Sequence, residues 1–123
     1  MGDWRALCRE EGWTIEGQRI EVPLANKRSH RVFVEELAER LDLTARVAAA
    51  RRLEAVEDVE LLVWRRNART RLVTFHVDRR GAVIGQVQLS REGLTRDELR
   101  LCVHTLANEC DRMEHLLTGE DLE

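Results

Sequence analysis

The chain contains no tyrosine, one proline, one lysine and three cysteines among 123 residues, and these scarcities narrow what it can be. With aromatics at only 4%, it lacks the series of stacking platforms that single-stranded nucleic acid uses. Cys8, Cys102 and Cys110 are odd in number and form no C-x-x-C pair. That argues against a disulfide framework and leaves buried, reduced thiols as the expectation. No apolar run approaches the roughly 20 residues that span a bilayer. The start, Met1-Gly2-Asp3-Trp4-Arg5, lacks the apolar centre of a signal peptide, so the chain reads as cytoplasmic. No Gly-rich phosphate loop, G-x-S-x-G elbow or Pro/Ser-rich linker occurs.

What is present is the composition of one globular domain, 43% hydrophobic and 35% charged. The formal charge of −3 gives no global pull towards nucleic acid or anionic membrane. Its distribution is uneven. Residues 65–80 hold six arginines against one aspartate, and residues 109–123 hold six acids against Arg112.

Periodicity supplies the elements. Asp3 can cap a short helix carrying Trp4, Leu7 and Cys8, with Gly12 ending it. Ile20, Val22 and Leu24 alternate with charged or special residues, which predicts one half-buried strand within 13–24; Pro23 puts it at an edge or near its end. His30 to Glu36 continue as a second strand through Val32, Phe33 and Val34. Over 41–48, helix-forming residues conflict with the strict alternation of Leu41, Leu43, Ala45 and Val47, and the alternation predicts a third strand. Residues 55–66 read as a helix with Val56, Val59, Leu62 and Val63 on one face and Asn67 as a left-handed cap. Val73, Phe75 and Val77, the turn Asp78-Arg79-Arg80-Gly81, and then Val83, Gly85, Val87 and Leu89 describe a hairpin. Thr95 and Glu98 form a capping box ahead of Leu99, Val103, Leu106, Cys110, Met113 and Leu117, whose spacing is that of one helix face ending at Gly119. The fold class is α+β, a twisted antiparallel sheet of about five strands flanked by helices in the order α-β-β-β-α-β-β-α.

Leu61-Leu62-Val63-Trp64-Arg65-Arg66-Asn67, the strand end Phe75-His76-Val77-Asp78, Gly81 in the turn, and Asn108-Glu109-Cys110-Asp111-Arg112-Met113-Glu114 together resemble YbjN-type proteins. These are similar in fold to the class I type III secretion chaperones, and the likeness covers roughly residues 19–119. It implies a twisted antiparallel sheet with packed helices, often as a homodimer. It also implies a chaperone-like activity that holds a partner polypeptide in an extended or partly folded state.

No residue set promises catalysis. Cys102 and His104 diverge by about 200° around a helix of 3.6 residues per turn, which is no metal-ligand geometry, so no metal or cofactor is expected. Asp111 and His115 stand at i, i+4, where an exposed helix ion pair is the simpler reading than an oriented base. Ser29 and His30 are chain neighbours and do not make a nucleophile–base pair. The reading is a non-enzymatic polypeptide binder with Trp4, Trp13, Phe33 and Trp64 as contact residues. Trp64 follows the apolar face of its helix and reads as core or dimer interface, while Trp4 and Trp13 flank the first helix, where a tryptophan serves equally as core volume or as a binding anchor. The alternative is a nucleic-acid or phosphate binder using Arg65, Arg66, Arg69 and Arg71, since guanidinium groups grip phosphates bidentately.

Overall fold

Alternating apolar residues become strands here wherever one long amphipathic helix can cover them. The computed structural model describes residues 4–8, 12–25 and 28–119. Strands β1 (Thr14–Glu16), β2 (Arg19–Pro23), β3 (Ser29–Glu36), β4 (Arg40–Ala48), β5 (Thr74–Val77) and β6 (Val83–Ser90) form one antiparallel sheet in the order β1-β2-β3-β4-β6-β5. Helices α1 (Trp4–Leu7), α2 (Val59–Asn67) and α3 (Arg96–Thr118) flank it, and a 3₁₀ turn spans Ala50–Leu53.

The contested segment 41–48 is a strand, the central β4, with β3 on one side and β6 on the other. Leu41, Leu43, Ala45 and Val47 are all buried against the helix layer. Helix propensity differs among such residues by tenths of a kcal/mol each, whereas burying an aliphatic side chain is worth about 1.5–3 kcal/mol. Packing therefore decides.

The sheet has six strands because the expected single strand within 13–24 is a hairpin. Glu16 pairs with Arg19, so Gly17 and Gln18 form a two-residue loop. Gly17 has φ +62° and Gln18 does not take a positive φ, the pattern of a type II′ turn with glycine first. Helix α2 starts at Val59 rather than at 55, preceded by the 3₁₀ turn and by Asp58 at φ 55°. Asn67 is not a left-handed cap. It ends α2, its amide nitrogen donates to the Phe75 carbonyl at 2.8 Å, and its side-chain oxygen accepts from the Phe75 amide at 2.8 Å. The expected Asp3 cap lies outside the described residues.

Helix α3 is as anticipated, from the Thr95–Glu98 capping box to Gly119 in the left-handed conformation. Its stripe Leu99, Val103, Leu106, Cys110, Met113 and Leu117 is buried on the sheet. The helix packs tightly at Gly85, where an added Cβ would fall 2.6 Å from the Cys110 sulfur. Only a glycine admits that approach.

Candidate functional site

Helix α3 covers one face of the sheet and leaves the other open. On β3, Val32 and Val34 point under α3, whereas Arg31, Phe33 and Glu35 point to the opposite side. Pairing sets Phe33 beside Thr44, Thr44 beside Gln86, and Glu35 beside Asp42. The open face is therefore mostly polar, with Phe33 and Ile84 as its apolar members, and is less greasy than a platform for broad hydrophobic burial would be.

The two sheet edges differ. At β5 the Asn67 side chain satisfies both backbone groups of Phe75, so it occupies the place a further strand would take. At the other edge lies β1, three residues long, with β2 as its one pairing partner in the sheet.

The four predicted contact residues have different settings. Trp4 is 1% exposed in the core, with the Arg5 guanidinium 4.6 Å from its ring centre, so it presents no surface here. Trp13 is half-buried at a depression shared with Pro23, Leu101 and His104. Phe33 stands on the open face. Trp64 is 68% exposed on the outer side of α2, one turn from the exposed Leu61, and so is not core.

The arginine quartet does not form one surface. Arg65, Arg69 and Arg71 are exposed, but Arg66 turns inward and donates to both Glu109 carboxylate oxygens at 3.0 Å. Along the same side of α3, Asp111 receives Arg28, and Glu114 receives Arg52 with Arg28 at 3.7 Å. Half of the acids that gave residues 109–123 their negative sum are thus neutralised by arginines from α2, the 3₁₀ turn and the segment before β3. Asp111 serves this network and Cys110 lies under the helix, 3.9 Å from the Ala45 carbonyl oxygen. Burial raises the pKa of Cys110 steeply and that of Cys102 as well, which keeps both as thiols and removes their nucleophilic form.

Beside this network is a groove of about 710 Å³ that no local motif had signalled. Arg31, Arg46, Arg51, Phe33 and Ile84 line it, and the paired Arg28 and Arg52 lie at its α3 side with Asp111 and Glu114. His30 contacts the Arg46 carbonyl oxygen through Nε2 at 3.1 Å. Burial pulls the His30 pKa below 6.5, while the Arg46 carbonyl, Glu114 and Asp111 act in the opposite sense. These residues come from β3, β4, β6, the 3₁₀ turn and α3, so only strand register and helix placement bring them together.

Comparison with known proteins adds a family and a fold. The YbjN family model, described as "Putative bacterial sensory transduction regulator", matches residues 5–118. Among curated proteins none matches. Six chains of solved structures match, among them one from the "Crystal Structure of the ExsC-ExsE Complex", at a TM-score of 0.58 and 20% identity over 88% of this chain and 77% of that one. At that identity the likeness concerns the fold.

Proposed function

This chain belongs to the YbjN family, and from that premise we propose that it is a non-enzymatic, chaperone-like module that binds another polypeptide in the cytoplasm. The observation that carries the reading is Trp64, 68% exposed on α2 beside the exposed Leu61. A large aromatic kept in water contributes nothing to the core, and tryptophan is the residue most enriched where a partner buries it. The fold neighbour was solved as a complex of ExsC with ExsE, which accords with a polypeptide partner for this fold.

In this mechanism Trp64, Trp13 and Phe33 supply the apolar contacts, and Trp4 supports the first helix from within. The exposed Arg65, Arg69 and Arg71, which follow Trp64 in the chain, steer the encounter and set its salt dependence. An extended partner segment adds its backbone at the β1 edge, since Asn67 fills the corresponding position on β5. The protein works as a homodimer, a state that light scattering on the purified chain checks directly.

A photo-crosslinking residue placed at position 64 tests the reading in cells. The expected result is a discrete adduct with one or a few polypeptides, absent when the crosslinker replaces the buried Leu106. Adducts only with nucleic acid, or none from positions 64, 33 and 13, would sink it.

A further inference from the structure

We propose that the groove between β3, β4 and the Ala50–Leu53 turn seats an acidic segment of the polypeptide partner, with an apolar side chain of that segment resting on Phe33 and Ile84. This rests on the polypeptide-binding reading and adds where the partner lies and what chemistry it carries.

The argument begins with the arginines. Of the five that line the groove, Arg28 and Arg52 already hold Asp111 and Glu114, and Arg31 has Glu21 at 3.7 Å with both side chains largely in water. Arg46 and Arg51 have no carboxylate partner among the described residues. The β3–β4 ladder ends at the Phe33–Thr44 pair, and Arg31 and Arg46 lie two residues beyond it on their strands, both lining the groove. Like charges gathered around one groove repel, an arrangement that a counter-anion relieves. The register of β4 against β6 also shifts between Arg46 and Ala48, an irregularity that redirects side chains at this end of the strand.

The face is graded. Arg31 and Arg46 stand at one end, Phe33 and Thr44 in the middle, and Glu35, beside an Asp42 that Arg40 holds at 2.9 Å, at the other end. Residues two apart on a strand lie about 7 Å apart, so the gradient runs over roughly 13 Å, the length of four extended residues. A segment with carboxylates at one end and an aliphatic or aromatic residue next to them matches this order. A uniform polyanion matches it less well, because its far end meets the exposed Glu35. That separates acidic polypeptide from nucleic acid on charge pattern alone, and Phe33 is the one aromatic in the groove lining for a base to stack on.

The test uses the whole protein and three labelled probes: a peptide of alternating glutamate and leucine, its lysine–leucine counterpart, and a single-stranded oligonucleotide. The glutamate–leucine peptide is expected to bind at least about tenfold more tightly than either other probe, with affinity falling as salt rises. Arg46→Glu combined with Arg51→Glu should weaken it about tenfold or more, in line with the loss of charged hydrogen bonds. Phe33→Ala should weaken it without changing the salt dependence. Arg79→Glu with Arg80→Glu, in the remote hairpin turn, should leave it unchanged. Arg46 and Arg51 are exposed, so circular dichroism of the double variant should match the parent. A preference for the oligonucleotide, no peptide binding, or insensitivity to the Arg46/Arg51 reversal would each overturn the proposal. Adducts from position 64 that persist in the groove variants would show that polypeptide binding stands while this location is wrong.

Discussion

Two adjacent residues on β3 show the contrast between the faces of the sheet. Val34 is 1% exposed beneath α3, whereas Phe33, larger and more apolar, is 46% exposed on the other side. The same division runs through β4 and β6. Under α3 the side chains are aliphatic and the spacing is so close that Gly85 admits no Cβ. On the open face they are arginine, glutamate, threonine and glutamine, with Phe33 and Ile84 between them. The covered face maintains the fold and tolerates little change. The open face, whose side chains are mostly exposed or half-buried, is expected to contribute less to stability.

Substitutions on the two faces should separate these roles. The largest effect is expected for Leu106→Ala, fully buried between α3 and the sheet, which should cost about 2–5 kcal/mol in urea unfolding through lost transfer energy and the cavity left behind. A value under 1 kcal/mol would mean that the covered face is loosely packed. Next is Asn67→Ala, which leaves the partly buried backbone of Phe75 without its two hydrogen bonds and should cost about 1–3 kcal/mol. It also exposes the β5 edge, so concentration-dependent association in light scattering should accompany the loss.

A pH series gives a smaller, signed effect from the margin between the faces. The His30 pKa is lowered on folding, so the unfolded chain binds the proton more readily. The contribution is fully present above pH 6.5 and is lost as pH falls from there through the folded-state pKa. Melting temperatures of His30→Gln should decline less over that window than those of the parent; equal slopes would remove His30 from the account. The smallest effect on stability is expected for Phe33→Ala, within about 0.5 kcal/mol, as for other surface positions. A loss comparable to Leu106→Ala would make the open face structural and weaken the contrast.

The covered face was legible from local pattern because burial imposes a period. Alternation placed Leu41, Leu43, Ala45 and Val47 correctly against their own helix propensity, and the spacing in α3 named all six stripe residues. The Gly17-Gln18 turn carried a signal too, glycine first in a two-residue loop, which the even spacing of Ile20, Val22 and Leu24 obscured. Arg66 was grouped with Arg65, Arg69 and Arg71 because they are close in sequence, yet its partner Glu109 is 43 residues away. The tryptophans were ambiguous for the same reason. Trp4 in the core and Trp64 in solvent carry the same side chain, and their different packing is set by segments remote in sequence.

Composition, alternation and capping residues by themselves determined an α+β domain of antiparallel strands under a long final helix, since backbone periodicity and apolar burial act within one element. The register of β3 on β4, the inward turn of Arg66, the edge closure by Asn67 and the gathering of Arg31, Arg46 and Arg51 around Phe33 were decided only by tertiary structure. Each depends on charges or hydrogen bonds between different elements, from the eight residues that separate Asn67 and Phe75 to the 43 between Arg66 and Glu109, whose distances exist only once the core has set those elements in place.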